Sequence, residues 1–528
     1  MLSDPMAAPG LSRRRFLGAS MKVGAAGLVA GAAGGPLAAL AGDRAAATPA
    51  PAPPRFTHIP DSPPNFRRFV TRPDLRPPGV TIETTPGFPY SGSQPGYIVA
   101  AACAIPGEAL PAGAQRGLLI VDLRGETVWF HPQPGVGNDP FNFAVQTYKK
   151  KSVLTWWEGT EGPNGFGVGG EYVLADASYQ EIARFSASGL PSDLHELHLT
   201  SDNTALVTAY EAGVEVDGVT IDVGHAQEID VVTNGLLWDW ACYPQVPISA
   251  SYVRTSGDYF HINSIDLWPG SARNVLISSR DTGAVYLIDR TTKEILWRLG
   301  GKSTQVPTFR LGAGVAFAYQ HDARPLADGS GISLFDDASA PSPIPYSSGK
   351  VINLDQTAMT ATLRHQYLHT DKELKVGRQG SCQLLPNGGH FVGWGAARSF
   401  SQFRASGNAV NGEMVLDGLF APGVGSYRTY MFDWHANPPQ SELRVVVHAT
   451  GGNGHYTAWV SWNGATKVAA WRLNAGPSSH SMEVITTVAK HSFETAINFT
   501  RNGTQAVRIA ALDSKGRVLT RSSVVSPS

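Results

Sequence analysis

Short apolar segments separated by polar turns recur along most of this chain. Between Gly96 and His435 an apolar segment that ends in an aspartate recurs five times, with the aspartates at Asp122, Asp176, Asp230, Asp289 and Asp355. These aspartates are 54, 54, 59 and 66 residues apart. Most units also hold two short apolar segments joined by a turn, which is typical of β-hairpins. A sixth candidate unit runs from Gly412 to Trp434. Four-stranded units at a period of about 50 residues are typical of a β-propeller, and these six units predict six blades.

The pattern changes after Pro438-Pro439. Seven short apolar segments follow, at residues 443–449, 456–462, 466–473, 482–488, 495–500, 506–512 and 518–525. Their number and spacing predict a separate immunoglobulin-like β-sandwich over residues 438–528. We expect Trp459, Trp462 and Trp471 to fill its core or an interface, with carbohydrate binding as the alternative. The predicted fold class is therefore all-β, a six-bladed propeller followed by this sandwich.

The N-terminal region carries features of export rather than of a folded domain. Ser12-Arg13-Arg14-Arg15-Phe16-Leu17 precedes a Gly/Ala-rich stretch and a possible cleavage site at Ala39-Leu40-Ala41. This resembles a bacterial twin-arginine signal, so residues 1–41 predict export by that machinery to the periplasm, cell envelope or exterior. A membrane anchor is the alternative, but the stretch is too poor in large apolar residues for a stable span. Residues 42–85 are Ala/Pro-rich and predict a tether, which leaves residues 86–437 for the propeller.

Composition narrows the classes of function. The chain has 42 Lys+Arg against 43 Asp+Glu, a net charge of −1, which argues against a nucleic-acid partner. Its 12 Trp, 21 Phe and 16 Tyr need burial and exclude a disordered chain. Cys103, Cys242 and Cys382 lie far apart without a CxxC motif. One disulfide is possible, but a disulfide scaffold or a thiolate metal site is excluded.

Three histidines occur in phase with the repeat. His195, His261 and His321 each stand just before a predicted hairpin in three consecutive units, and the next unit offers Gln379 and Ser381. Equivalent positions of successive blades converge on the axis of a propeller, so we expect the three histidines to share one pocket. The alternative is three unrelated structural histidines.

Two further residues indicate which chemistry this pocket favours. Three histidines can bind zinc. Arg280, near the end of the hairpin that follows His261, would repel a divalent cation and bind a tetrahedral oxyanion with two donors. Asn263, two residues after His261, adds an amide donor. The set predicts an anion cradle with one histidine free as nucleophile and no metal. The alternative is a structural ion pair of Arg280 with Asp281 or Asp289.

The histidines and Arg280 lie within a series of short motifs, Asp193–Leu197, Asp258–Ile265, Ser278–Arg280, Trp297–Gly301, Gln320–Arg324 and Ser333–Asp336. In their order and spacing these motifs are similar to those of the arylsulfotransferase (ASST) family. Ser461–Thr466 also resembles the C-terminal extension of a fungal and actinobacterial branch of that family.

The resemblance implies sulfuryl transfer from a phenolic sulfate ester to a phenol, without a phosphoadenosine donor or another cofactor. It also implies that His321, in its Gln-His-Asp context, is the histidine that becomes sulfated. His261 with Asn263, Arg280 and His195 would supply the other active-site groups, and ping-pong kinetics are expected.

Two other functions stay open on the residues alone. A propeller without enzymatic activity could use the same cradle to bind sulfated or anionic aromatic compounds or glycans. A quinoprotein-like dehydrogenase is less favoured, because the chain has no vicinal cysteine pair and no acidic residues at the in-phase positions.

Overall fold

The structure is a computed structural model. It describes residues 62–89 and 96–528, except for 134, 136–137, 163–164, 254, 272, 303–305, 340–344, 371–373, 406, 408 and 453. The predicted signal of residues 1–41 and the tether up to residue 61 lie outside these ranges. No helix in the described ranges has the length and apolar character needed to cross a membrane.

The described chain is almost entirely β-structure. In chain order the strands up to residue 432 are β1 (Val80–Thr84), β2 (Tyr97–Ala104), β3 (Gly117–Val121), β4 (Thr127–Pro132), β5 (Asp139–Tyr148), β6 (Lys151–Glu161), β7 (Gly167–Ala175), β8 (Glu181–Phe185), β9 (Ser192–Leu199), β10 (Thr204–Val216), β11 (Val219–Asp230), β12 (Leu236–Ala241), β13 (Ile262–Leu267), β14 (Asn274–Ser279), β15 (Ala284–Asp289), β16 (Ile295–Gly300), β17 (Arg310–Leu311), β18 (His321–Pro325), β19 (Gly331–Asp336), β20 (Ser348–Asp355), β21 (Thr360–Tyr367), β22 (Ser381–Leu384), β23 (His390–Gly393), β24 (Ser399–Phe403), β25 (Met414–Phe420), β26 (Val424–Gly425) and β27 (Thr429–Phe432). The described helices are three short 3₁₀ turns, at Ile248–Ala250, Gly395–Ala397 and Gln440–Glu442.

These strands form six successive sheets. The first sheet has the order β27-β2-β3-β4, with β26 also beside β2, and the second to fourth sheets are β5 to β8, β9 to β12 and β13 to β16. The fifth sheet is β18 to β21 with the short β17 beside β21, and the sixth is β22 to β25 with β1 beside β25. Neighbouring strands are antiparallel, apart from the parallel pair of β17 and β21. The first strands of the sheets, β27, β5, β9, β13, β18 and β22, contact one another in turn and form a closed ring.

The ring is closed by both ends of this region. β27 pairs with β2, with Phe432 opposite Tyr97, so the first sheet combines segments more than 300 residues apart. β1 pairs with β25, with Val80 opposite Phe420. The tether predicted for residues 42–85 is therefore wrong at its C-terminal end. Val80 is buried in the adjoining core and covers an edge of the sixth sheet, so the folded region begins before residue 86.

Apolar side chains fill the spaces between consecutive sheets. One example joins Leu206 and Trp240 of the third sheet to Val275 and Ile277 of the fourth, and each of the other neighbouring pairs has a corresponding cluster. Each sheet therefore buries both of its faces. This explains why many strands are nearly continuous apolar runs, and why a closed ring leaves no apolar face uncovered.

The repeated aspartates are turn residues. Each stands at the end of the third strand of its sheet, and its carboxylate accepts hydrogen bonds from two backbone N–H groups of the following turn. Asp side chains favour such turns because they replace a backbone acceptor locally. The repeat that is visible in the sequence thus marks the turn before the fourth strand.

Two further sheets follow the ring. Their strands are β28 (Leu443–Gly451), β29 (His455–Trp462), β30 (Ala470–Gly476), β31 (Glu483–Ala489), β32 (Glu494–Thr500), β33 (Ala506–Leu512) and β34 (Val518–Arg521). One sheet has the order β28-β29-β32 and the other β31-β30-β33-β34. They share a core that includes Trp462 and Trp471, whereas Trp459 is partly buried against His448.

The turn between β29 and β30 attaches this region to the ring. The Asn463 side chain exchanges two hydrogen bonds of 3.1 Å with the backbone of Phe130 in β4. Gly464 N–H donates to the carbonyl of Val128 at 2.8 Å. The strand expected from residue 466 begins instead at Ala470, because Thr466 bonds to the backbone of Ala436.

Candidate functional site

The three in-phase histidines lie together inside the ring. His195 is in β9, His261 directly precedes β13, and His321 begins β18. The ring centroids of His195 and His261 are 4.6 Å apart. Tyr427 lies between His195 and His321, with centroid distances of 5.6 and 6.2 Å. All three histidines are at most 3% exposed.

Each histidine has a buried carboxylate at Nδ1. Asp193 Oδ2 lies 2.8 Å from His195 Nδ1, Asp258 Oδ2 lies 2.5 Å from His261 Nδ1, and Asp337 Oδ2 lies 2.6 Å from His321 Nδ1. A carboxylate on one ring nitrogen orients the imidazole and leaves the other nitrogen for chemistry. The site is therefore built from three histidine–carboxylate pairs.

The protonation of His321 follows from its contacts. Its Nδ1 is also 2.9 Å from the carbonyl oxygen of Tyr319, which can only accept a hydrogen bond. Nδ1 therefore carries the proton. Nε2 accepts a 3.4 Å hydrogen bond from the backbone N–H of Gln379, which is consistent with a lone pair on Nε2.

Burial and the neighbouring charges keep two of the histidines neutral. Burial lowers the pKa of His321 and of His261 well below the usual value, and the Arg280 guanidinium lowers both further. Burial raises the pKa of Asp258 to about 6, although Arg280 opposes that rise. Burial and the adjacent Asp336 raise the pKa of Asp337 well above the usual range.

Arg280 lies beside two of the histidines. Its backbone N–H donates to the carbonyl of His261, and its guanidinium lies 5.1 Å from the ring centre of Tyr319, two residues before His321. Nε donates to Asp281 at 2.7 Å, so the ion pair considered as an alternative exists. Within the described residues, however, no acceptor takes a hydrogen bond from its Nη1 or Nη2. One edge of the guanidinium is thus fixed and the other can bind an anion.

Asn263 is placed near the histidines in a different way from that expected. Its side-chain N–H donates to the backbone carbonyl of Gln320 at 2.7 Å, so one amide hydrogen links β13 to the residue before His321. Its Oδ1 is buried and has no hydrogen-bond partner among the described residues. The observed contacts make Asn263 a link between the fourth and fifth sheets.

Irregularities of the first strands direct these side chains. The register shifts between Phe141 and Ala144 in β5, and an equivalent shift occurs at residues 262–264 of β13 and 321–324 of β18. Asn142, His261 and Asp322, at these shifts, have positive φ values of 55°, 51° and 53°. Such bulges re-aim side chains and are common next to active sites.

Sequence reasoning missed the carboxylates and Tyr427. Asp193 and Asp258 precede their histidines by two and three residues, a local signal that could have been used. Asp337 is 16 residues from His321, and Tyr427 comes from the segment before β27. No sequence signal joins those two to the histidines. The described residues hold no group of three or more His, Cys, Asp or Glu side chains arranged to bind a metal ion, and Cys103, Cys242 and Cys382 are free.

The chain has a weak similarity to two solved structures. A β-propeller domain of Myceliophteria thermophila Cps50 (Swd1) matches with 10% identity and a TM-score of 0.32, covering 62% of this chain and 94% of that one. A protein of unknown function from Bacteroides thetaiotaomicron matches with 11% identity and a TM-score of 0.34, covering 62% and 76%.

In sequence, the chain matches one protein family. No curated protein sequence matches significantly. The sequence model of the arylsulfotransferase (ASST) family matches residues 144–413, a segment that contains all three histidines, Asn263 and Arg280. That match covers just over half of the chain and supports an activity of the sulfotransferase type. The chain therefore belongs to the arylsulfotransferase family.

Proposed function

We propose that this protein is an aryl-sulfate sulfotransferase that moves a sulfuryl group from a phenolic sulfate ester to a phenol through a sulfated His321. The observation that carries the proposal is the state of His321. Its Nε2 holds a lone pair, its Nδ1 is held by Asp337, and Arg280, His261 and His195 lie near enough to lower its pKa. This is the arrangement of an activated nucleophile beside an oxyanion-binding group.

In the first half of the reaction, His321 Nε2 attacks the sulfur of the donor ester. The N–S bond forms while the bond from sulfur to the phenolic oxygen breaks, and the phenolate leaves with the bonding electrons. His195 gives it a proton, because burial and Arg280 keep His261 neutral. The sulfated ring becomes cationic, and Asp337 stabilises it by accepting the Nδ1 hydrogen bond. Arg280 holds the sulfuryl oxygens throughout.

In the second half, the acceptor phenol loses its proton either to His195 directly or to the neutral His261, which passes it on to the deprotonated His195 beside it. Its oxygen attacks the sulfur, the N–S bond breaks, and the electron pair returns to His321 Nε2. Donor and acceptor use one site in turn, which predicts ping-pong kinetics.

The architecture that we propose around this site is a six-bladed β-propeller followed by an immunoglobulin-like sandwich. Six antiparallel sheets whose first strands form a ring support the propeller. A three-stranded and a four-stranded sheet over one core support the sandwich. We keep the boundary at residue 438 but extend the propeller to include β1. The motif at residues 12–17 supports export by the twin-arginine route.

The test uses purified protein, 4-nitrophenyl sulfate as donor and phenol as acceptor. We expect release of nitrophenol that depends on phenol, and a loss of at least about 1,000-fold in His321→Ala. Mass spectrometry of the enzyme mixed with donor alone should show one added sulfuryl group in the native protein and none in the variant. Sequential kinetics without this covalent species would contradict the mechanism.

The second candidate is a binding protein without turnover, which the same cradle would permit. It would show affinity for aryl sulfates that His321→Ala retains, with no nitrophenol release by either protein.

A further inference from the structure

Next to the histidines, four charged side chains meet inside the ring. They are Glu196, Asp322, Arg324 and Arg428, here called the ion quartet. The side chains of Glu196, Asp322 and Arg428 are at most 1% exposed, and that of Arg324 is 20% exposed. Two carboxylates and two guanidinium groups give the quartet no net charge.

Each member of the quartet contacts members of opposite sign. Arg324 donates from Nη2 to Glu196 Oε2 at 2.6 Å and from Nε to Asp322 Oδ1 at 2.9 Å. Arg428 donates from Nη1 to Glu196 Oε1 at 3.1 Å, and its Nε lies 3.7 Å from Asp322 Oδ1. Burial alone would raise the pKa of Glu196, but Arg324 and Arg428 lower it to about 2. Glu196 is therefore ionised at neutral pH.

The quartet is also bonded to the first strand of every sheet. Glu196 belongs to β9 of the third sheet, and Asp322 and Arg324 belong to β18 of the fifth. On the second sheet, Asn142 is hydrogen-bonded to Glu196 and Arg428. On the fourth sheet, the backbone of Asn263 is bonded to Arg428, and the backbone of Ile265 is bonded to Glu196 and Arg324. Asp322 is bonded to Cys382 N–H of the sixth sheet and to Tyr430 of the first. It therefore links all six sheets at one place.

The same residues adjoin the histidines along the chain. Glu196 directly follows His195, and Asp322 directly follows His321. The Asn263 carbonyl that accepts the 2.6 Å hydrogen bond from Arg428 Nη2 is two residues from His261. Glu196 and Asp322 are therefore each joined to a histidine by a peptide bond, and Arg428 holds the backbone close to the third.

We propose that the ion quartet sets the mutual positions of His195, His261 and His321, and that Glu196 and Arg428 are positioning residues for sulfuryl transfer. This inference rests on the proposed function. Hydrogen bonds between a planar guanidinium and a carboxylate fix both the distance and the direction between the two groups. Apolar packing between six sheets does not fix either. A buried charge that loses its partner is strongly unfavourable, so the four side chains of the quartet have one arrangement of low free energy.

The experiment compares Glu196→Gln with two other variants. Glu228→Gln makes the same change in the same sheet, where Glu228 pairs with Arg290 outside the quartet. The double variant Glu196→Gln/Arg428→Gln restores a neutral cluster. We would measure kcat and KM with 4-nitrophenyl sulfate and phenol, together with the Tm of each protein.

We expect kcat to fall about 10- to 100-fold in Glu196→Gln, with KM changed less than about threefold, because a small misplacement of reacting groups has an effect of this size. Glu228→Gln should keep kcat even if its Tm falls. The double variant should recover kcat at least severalfold over Glu196→Gln. Unchanged kcat in Glu196→Gln, or kcat losses that follow the loss of Tm in both single variants, would overturn the inference.

A readout independent of turnover separates this inference from the proposed function. In protein labelled with ¹⁵N at histidine, NMR should show shifted ring-nitrogen signals of His195 and His321 in Glu196→Gln but not in Glu228→Gln. If the native protein transfers no sulfuryl group, the proposed function fails, and these signals alone decide whether the quartet positions the histidines. Unchanged signals would refute it.

If Glu196→Gln does not fold, Tyr430→Phe takes its place. It removes one hydrogen bond to Asp322 without a change of charge, and we expect kcat to fall severalfold at an unchanged KM. An unaltered kcat in that variant would count against the inference.

Discussion

Two buried groups of charged and titratable side chains lie side by side within the ring, and they differ in how completely their hydrogen bonds are used. In the histidine group, each Nδ1 is paired with a carboxylate, while Arg280 keeps two terminal nitrogens without a described acceptor. In the ion quartet, the charges face one another and the surrounding backbone.

The histidine group can accommodate a change of charge during a reaction, whereas the ion quartet cannot. Unpaired polar atoms in a buried site cost free energy, and they persist where a ligand or a transition state supplies the partner. In the quartet, Arg428 Nε has no hydrogen-bond partner among the described residues, but it lies 3.7 Å from Asp322 Oδ1, so little of the group is left to bind a ligand. The histidine group is therefore suited to chemistry and the quartet to holding geometry, although both come from the same strands.

The strongest test of this contrast removes the anion-binding cation. Arg280→Met should lower kcat/KM for the aryl sulfate about 100- to 1,000-fold, because the developing charge on the sulfuryl oxygens loses its donors. Arg280→Lys should recover part of the rate, since it keeps the charge without the paired donors. Steady-state kinetics measure both. Arg273→Met, at an exposed residue in the turn before β14 of the same sheet, is the control and should match the native enzyme.

The carboxylate behind the nucleophile should have a smaller effect. Asp337→Asn should lower kcat about 10- to 100-fold, because an amide cannot balance the cationic sulfated ring, while the Tyr319 carbonyl still holds the Nδ1 proton. Rapid mixing with donor alone should show slower formation of the sulfated enzyme. Asp328→Asn, in an exposed turn of the same sheet, serves as control. Equal rates in both variants would remove Asp337 from the mechanism.

The pair of Asp258 and His261 predicts a pH effect. Asp258 has a pKa of about 6, above its usual value, so it is ionised above pH 6 and takes up a proton below it. Neutral Asp258 no longer stabilises a protonated His261, and kcat should fall as the pH drops through about 6. Asp258→Asn should lower kcat about 3- to 10-fold at neutral pH and abolish this acid limb. A limb that persists in the variant would assign it to another group.

The quartet should respond to acid at a different pH, and in stability rather than in rate. The pKa of Glu196 is lowered to about 2, so the stability that its charge contributes is present above its usual value and is lost as pH falls from about 4.5 toward 2. We expect the Tm to fall by about 2–4 °C more between pH 4.5 and 3 in the native protein than in Glu196→Gln. Thermal unfolding followed by circular dichroism measures it. Parallel curves for the two proteins would indicate that Glu196 is not charged in the folded state.

Much of the strand pattern could be predicted because it depends on local chemistry. The aspartate repeat marks real turns, because each aspartate binds the backbone two to four residues further on. The in-phase histidines meet because they occupy equivalent places before or within the first strands of three consecutive sheets. The tether was predicted too long, since the pairing of β1 with β25 joins residues about 340 positions apart and leaves no local trace.

The sequence by itself determined the β-rich pattern, the units of the repeat, the set of three histidines with Arg280, and membership of a family through motifs around them. The tertiary structure alone decided which carboxylate holds which histidine, that Asn263 links two sheets, and that Arg428 meets Glu196 across 232 positions of the chain. The physical reason is the separation along the chain over which each interaction acts. Turn formation and strand periodicity act within a few residues, whereas buried charges are paired by whichever strands the closed ring brings together.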